Sequence, residues 1–332
     1  MANAGMANKH AFSHALVTGG AGFIGSHLCD ALIAQGVSVE AFDDLSTGSV
    51  RNVDHLRANP KFQLRVGDVC KRDELAESVD RADVIFHMAA AVGVRLIVER
   101  PVHTIQTNLE GTENVLELSA KKQKHVLLAS TSEVYGKSTA LPFHEESDLV
   151  LGASRRPRWA YACSKLMDEF LALAHFRERG LPVVIARLFN TVGPRQTGRY
   201  GMVIPRFVSQ ALAGEAITVY GDGTQSRTFC HVADTVRALV GLMAAPETRG
   251  QVYNVGGTTE ITMLNLAKHI VSLTKSNSSL SMIPFEEAYD EDFEDMARRR
   301  PDIAKIGAAI GFTPALSLDD IVNDVAREMR NA

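Results

Sequence analysis

Three short stretches carry the residue types that a site handling protons and phosphates would need. "STSE" sets Thr131, Ser132 and Glu133 side by side at the end of an apolar run. "YACSK" sets Tyr161 and Lys165 four residues apart, and on a helix such positions share a face. A free tyrosine, with a pKa of about 10, is a poor base at neutral pH; a nearby ammonium favours the phenolate and lowers that value. Tyr161 is thus a candidate for removing a proton from a substrate hydroxyl, helped by Lys165. The third stretch, "VTGGAGFIGSHL", spaces Gly19, Gly22 and Gly25 as GxxGxxG, and Gly20, Gly22 and Gly25 also satisfy GxGxxG. Such glycines permit a tight turn, a close backbone approach to a pyrophosphate and close helix–strand packing. Phe23 and Ile24 would then open a helix whose free N–H groups and positive dipole end meet the phosphates. Asp43 follows at the end of the next apolar run. A carboxylate there holds the adenosine ribose hydroxyls and repels a 2'-phosphate, which favours NAD over NADP. Asp68 and Val69, in "VGDV", are placed to meet the adenine.

These groups need strands and helices to converge. "HALVT" (14–18), "VSVEAFD" (37–43), "FQLRV" (62–66), "DVIFHMA" (83–89), "HVLLAS" (125–130) and "PVVIARLF" (182–189) read as strands. "GFIGSHLCDALIAQG" reads as a helix ended by Gly36, with further helices over about 104–122 and 160–179. Near-continuous apolar strands alternating with helices predict an α/β fold, a doubly wound parallel (Rossmann) sheet. After Asn190 the pattern changes. "NTVGPRQTGRYG" reads as a loop, the chain is helical after Pro205, "ITVYGDGTQSRTFCHV" reads as strand, turn, strand, and "QVYNVGG" (251–257) as a strand. "SNSSLSMIPFEEAYDEDFEDMARRRPD" reads as irregular and charged, before a helical C-terminus. The expected division is a Rossmann domain of 11–189 plus 229–257 and a smaller C-terminal substrate-binding lobe of 190–228 plus 258–332.

Composition narrows the setting. The 332 residues are 45% hydrophobic and 22% charged with a formal charge of -4, an ordinary globular balance without the basic stripe of a nucleic-acid binder. Arg155, Arg156 and Arg158, like Arg298, Arg299 and Arg300, form local runs that on charge alone read as solvated faces. Four scattered cysteines without a CxxC pair point away from a disulfide framework or a metal site and towards a reducing compartment. With no signal-peptide core and no apolar run near the ~20 residues of a membrane span, the expectation is a cytoplasmic protein.

"TGGAGFIGSHL", "STSEVYG", "YACSK", "RLFNTVGPR" and "ITVYGDGTQSRTF" together resemble the extended short-chain dehydrogenase/reductase family that acts on nucleotide sugars, from about residue 14 to the C-terminus. The resemblance implies a tightly held NAD, a UDP- or dTDP-sugar substrate and a Ser/Thr-Tyr-Lys catalytic group. Ser132 would hydrogen-bond the sugar hydroxyl, Tyr161 would be the base, and Lys165 would bind the nicotinamide ribose and tune Tyr161. Thr131, Asn190, Arg195, Tyr220 and Arg227 fall in segments that in this family face the substrate, and arginine's planar fork suits a diphosphate. The helices over about 104–122 and 160–179 resemble those that pair family members into homodimers.

Glu133 discriminates within the family. Epimerases usually carry a small residue there, whereas "TSEVYG" is similar to the UDP-glucuronate decarboxylases. "YDEDFEDMARRRPDI" (289–303) resembles a C-terminal segment of that branch, with Arg299 as the equivalent arginine, and "RWAYACSK" resembles its "RW-Y---SK". The implied chemistry is oxidation at C4 of a uronate, which makes a β-keto acid that loses CO2, followed by re-reduction. Arg299 would position the carboxylate and protonate C5, and Glu133 would orient the ring and assist that proton. One position departs: Ile97 stands where these decarboxylases carry a tyrosine, and "AAAVGVRLIVERP" (89–101) is more similar to an epimerase loop, with Arg95 as a substitute carboxylate anchor. A UDP-glucuronate 4-epimerase therefore remains the alternative, and a non-catalytic NAD-binding sensor a remote one.

Overall fold

A computed structural model describes residues 12–92, 100–197, 202–284, 287, 296 and 298–331. In chain order the strands are β1 (His14–Thr18), β2 (Ser38–Asp43), β3 (Phe62–Val66), β4 (Val84–His87), β5 (His125–Thr131), β6 (Val183–Leu188), β7 (Thr191–Val192), β8 (Ile217–Tyr220), β9 (Ser226–Thr228), β10 (Cys230–His231), β11 (Gln251–Val255), β12 (Glu260–Thr262), β13 (Leu280–Ile283) and β14 (Arg298–Arg299). The helices are α1 (Phe23–Ala34), α2 (Arg72–Arg81), α3 (Pro101–Ala120), α4 (Arg158–Arg179), α5 (Val203–Ala213), α6 (Val232–Ala244), α7 (Met263–Thr274), α8 (Ala304–Ile310) and α9 (Leu318–Asn331).

Seven strands form one sheet in the order β11-β6-β5-β4-β1-β2-β3, every neighbouring pair parallel. Parallel strands need both faces covered. On one face Leu28 and Leu32 of α1, Leu239 and Leu242 of α6 and Ile306 of α8 pack on Val17, Phe86 and Val255. On the other, Leu75 of α2, Val115 and Leu116 of α3 and Ala172 of α4 pack on Leu16, Ile85 and Ile185. The chain order reverses between β1 and β4. A crevice opens at such a switch point, beyond the carboxyl ends of the strands.

A separate apolar cluster joins Phe207 of α5, Leu266 and Ile270 of α7 and Val322 and Val325 of α9. Beside it β8 pairs in parallel with β13, and β9 lies between antiparallel β12 and parallel β14. The described part of the segment read as irregular between Ser276 and Pro301 therefore contributes two strands. Each is short and draws its order from a partner strand far away in sequence, so no local periodicity announces it. For the same reason the loop after Asn190 contains β7, which pairs with β10. The helix expected after Pro205 begins earlier, at Val203, because proline is tolerated in a first helical turn.

Candidate active site

Residues from both regions line a single cleft of about 1080 Å³. Gly19, Gly22, Phe23, Ile24 and Gly25 form its wall at the head of α1. Gly19 has φ +67, and a Cβ there would meet the Ala89 nitrogen at 2.8 Å; a Cβ on Gly25 would stand 2.1 Å from the Gly19 carbonyl oxygen. Neither position takes a larger residue. Gly22 caps α1 without a side-chain hydrogen bond, so the first-turn N–H groups are open to an anion. Asp43 ends β2 with its two oxygens each accepting one backbone N–H, from Leu45 at 2.8 Å and Ala21 at 2.9 Å. Those bonds fix the carboxylate and leave lone pairs for a diol. Burial raises its pKa and the two N–H donors work against that rise. Asp68 and Val69 line the same end. Gly-rich turn, open helix head and fixed carboxylate fit a dinucleotide of the NAD type.

The chemical end is built by β5 and α4. After β5 the chain enters a 3-10 turn, Ser132–Tyr135, whose cap is the Thr131 hydroxyl accepting the Glu133 N–H at 3.2 Å. That turn aims Ser132 and Glu133 into the cleft, opposite Tyr161 and Lys165 on the first two turns of α4. Tyr161 is buried, and its phenol is held above its ordinary pKa by burial first and by the charges of Glu133 and Asp168, with the Thr131 hydroxyl pulling the other way. The Lys165 ammonium donates to Asp168 at 2.8 Å.

Glu133 lies between two guanidinium groups. Arg299 Nη1 donates to its Oε1 at 2.5 Å, and Arg158 Nη2 donates to its Oε2 at 3.1 Å. All three side chains are largely buried. Arg299 reaches this place because β14 pairs with β9 in a register that sets it beside Arg227. Arg300 and Asp302, on either side of Pro301, bond through the backbone to Phe143, at 2.8 Å each. Both the missed Arg158 and the expected Arg299 sit in basic runs that read as solvated faces. The tryptophan of "RW" was the available signal for Arg158: Trp159 is buried, so its helix begins inside the protein.

The remaining expected residues line the same cleft. Arg227 is buried, with Nη1 donating to the Ser226 carbonyl at 2.8 Å. Asn190 takes φ +27 and donates from Nδ2 to the Thr228 carbonyl at 2.8 Å. Tyr220 lies under the Arg206 guanidinium, 4.1 Å from the ring centroid. Arg195 lines the cleft, but its guanidinium pairs with Asp30 of α1 at 2.8 Å and its backbone N–H donates to Glu328 of α9; it ties three segments together. Arg95 and Ile97 lie outside the described residues. Among the described residues no group of three histidine, cysteine or acidic side chains is placed to hold a metal ion.

Comparison with known proteins agrees with this layout. The family model described as NAD dependent epimerase/dehydratase family matches residues 15–256. The UDP-N-acetyl-alpha-D-glucosaminuronate decarboxylase of Bacillus cytotoxicus is 39% identical over 317 residues, which is 95% of this chain and 97% of that protein. The UDP-glucuronic acid decarboxylase 1 of Danio rerio is 39% identical over 308 residues, 93% of this chain and 70% of that protein. A solved UDP-glucuronic acid 4-epimerase from Bacillus cereus, in complex with UDP-glucuronic acid and NAD, superposes with a TM-score of 0.86 at 26% identity, covering 96% of this chain and 99% of that one.

Proposed function

This chain belongs to the NAD dependent epimerase/dehydratase family, and from that premise we propose that it is an NAD-dependent UDP-glucuronate decarboxylase yielding UDP-xylose or its 4-keto form. The observation that carries the reading is Glu133 held between Arg158 and Arg299 within the cleft that also holds Tyr161. An epimerase, which must keep the carboxylate, gains nothing from a proton donor at C5.

When bound, NAD+ would supply the acceptor for the C4 hydride, and where UDP-xylose is the product that hydride would be returned and the net redox change would be zero. The protein's part is to place and move protons. Ser132 hydrogen-bonds the C4 hydroxyl, Tyr161 removes its proton, and Lys165 holds the nicotinamide ribose. The resulting ketone lies β to the C6 carboxylate and draws in the electron pair that the departing CO2 leaves behind. Arg299 holds that carboxylate in line and delivers a proton to C5, directly or through water, while Glu133 keeps the two guanidinium groups oriented. Tyr161, now carrying the proton, gives it back to the C4 oxygen. Arg227 and Asn190 face the diphosphate and nucleotide from the lobe of 190–228 plus 258–332, against the Rossmann part of 11–189 plus 229–257. Arg195, tied to Asp30 and Glu328, serves that lobe as a strut.

A second reading has a specific support, the Bacillus cytotoxicus relative that acts on the 2-acetamido uronate and matches over nearly its whole length. The test gives the protein UDP-glucuronate and, separately, its 2-acetamido analogue with catalytic NAD+, following mass and CO2. CO2 from the first establishes the proposal. CO2 from the second alone changes the C2 substituent and keeps the mechanism. A 4-epimer of unchanged mass would replace the decarboxylase with the epimerase.

Assembly and location belong to the same proposal. Val102 on α3 and Met167 and Phe170 on α4 are exposed apolar side chains on two helices that pack together, and they support a homodimer built on that face. Among the described residues no helix is long and apolar enough to cross a membrane. The four cysteines stand free, which supports a reducing, cytoplasmic setting.

A further inference from the structure

Lys165 lies in the interior beside a single bonded carboxylate. Its side chain is 2% exposed and Asp168, one helical turn on, is 0% exposed. An isolated buried lysine gives up its proton, with pKa values of about 5–6 in documented cases. Yet an ammonium is what both proposed duties require: a charge-assisted bond to the ribose and support for the Tyr161 phenolate. Lys165 Nζ donates to Asp168 Oδ2 at 2.8 Å.

Asp168 is itself held from behind. Its Oδ1 is buried without a well-aligned hydrogen bond; burial holds its pKa above the ordinary value, and the Lys165 ammonium and then the Thr112 hydroxyl on α3 work against that rise. Behind Thr112 the chain of contacts continues. His87 Nε2 is 3.2 Å from the Thr112 hydroxyl, His87 Nδ1 is 2.8 Å from the Thr18 hydroxyl, and Thr18 accepts the Ala89 N–H at 3.3 Å. Burial and Lys165 hold His87 neutral, its pKa down at about 3. A neutral ring donates from one nitrogen only. The tautomer that donates from Nε2 to Thr112 accepts the Thr18 proton at Nδ1 and leaves the Thr112 proton for Asp168. The line thus runs from the wall of the pyrophosphate loop, where Ala89 faces Gly19, to the catalytic lysine. Glu169, which is paired with Arg187 of β6 at 2.7 Å, also faces Asp168, and Glu133 with its Arg158 and Arg299 faces Tyr161.

We infer that Asp168 is the counter-ion that keeps Lys165 an ammonium inside the protein, and hence a positioning residue for the cofactor and for the base. The inference rests on reading Lys165 as the nicotinamide-ribose ligand, and it does not depend on which sugar the enzyme takes. Its test is NAD+ affinity by calorimetry across pH, with no sugar nucleotide present, on the intact protein and on Asp168→Asn. Asp168→Asn should bind NAD+ about tenfold more weakly near pH 8 and recover as the pH falls towards 6 and Lys165 regains its proton. The unsubstituted protein should hold a flat affinity over that range. Thr112→Val, which leaves the ion pair in place, should shift the same transition in the same direction by less, with Thr112→Ser restoring it, and serves if Asp168→Asn does not fold. Unchanged affinity at every pH, or a uniform loss that acid does not repair, would overturn the inference. Failure to turn over any uronate would remove the decarboxylase reading and leave this one standing.

Discussion

Arg299→Ala separates the two halves of the proposed reaction. Arg299 holds Glu133 Oε1 at 2.5 Å, while Arg158 holds the same carboxylate at 3.1 Å from the other side. Removing Arg299 therefore leaves Glu133 paired, and the fold should lose only the ~1.5–3 kcal/mol of one bond to a charged group. Removing Glu133 instead leaves two largely buried guanidinium groups facing each other, which should cost about 3–5 kcal/mol. Arg299→Ala is thus the cleaner perturbation and Glu133→Ala the more damaging one. Nothing in the Arg299 change touches Tyr161, Lys165 or the glycine turn, so C4 oxidation should persist. The loss of a positioned proton donor should slow CO2 release by roughly 10²–10⁴-fold. The assay feeds uronate labelled with 13C at C6, follows labelled CO2 by mass and watches the reduced-cofactor absorbance in the same sample. Reduced cofactor should accumulate with a 4-keto acid. CO2 released within about threefold of the normal rate would refute the assignment of Arg299, whatever happened to stability.

Tyr161→Phe should abolish C4 oxidation while NAD+ still binds, read as a silent absorbance trace with normal calorimetric affinity; retained oxidation would remove Tyr161 as the base. Asp43→Ser should weaken NAD+ binding and admit NADP+, because the fixed carboxylate that repels a 2'-phosphate is gone; a variant that still rejects NADP+ would place selectivity elsewhere. Phe170→Glu should shift the protein from dimer to monomer in light scattering, and an unchanged mass would move the interface off α4. Buried His125 has its pKa held down at about 4, chiefly by burial. Its folded value lies below the unfolded one near 6.5, so its contribution is complete above that pH and is lost as pH falls towards 4. The free energy of unfolding, read from denaturation curves, should drop over that window by up to about 3 kcal/mol, and His125→Phe should flatten part of the slope.

The large sheet was legible because its strands are buried on both faces and so announce themselves as apolar runs. "HALVT" and "FQLRV" have the bounds of β1 and β3, and the glycine turn follows β1 at the switch point. β7 and β14 were not separable from loops, since two residues carry no period and their order comes from a distant partner, and the single strand expected after the turn in "ITVYGDGTQSRTFCHV" is divided into β9 and β10. The site shows the same division. Tyr161 and Lys165 are joined by helical spacing, and the expected site residues within the described chain line one cleft. The counter-charges were hidden, because Asp168 looks like any helix acid and Arg158 like any member of a basic run. Only burial distinguishes them, and burial is a property of the assembled fold.

The β9–β14 pairing has a consequence for how such enzymes diverge. Arg299 is delivered by two residues, clamped by β9 on one side and by the backbone of Phe143 through Arg300 and Asp302 on the other, with the Arg298–Glu260 ion pair at 2.6 Å as a further tether. It belongs neither to the sheet that holds the cofactor nor to the helix that carries the base. In the proposed mechanism, the machinery that makes a 4-keto acid and the side chain that decides its fate therefore rest on different parts of the chain. On that mechanism, exchanging a short segment with its anchors intact would redirect a shared intermediate without rebuilding the chemistry that formed it.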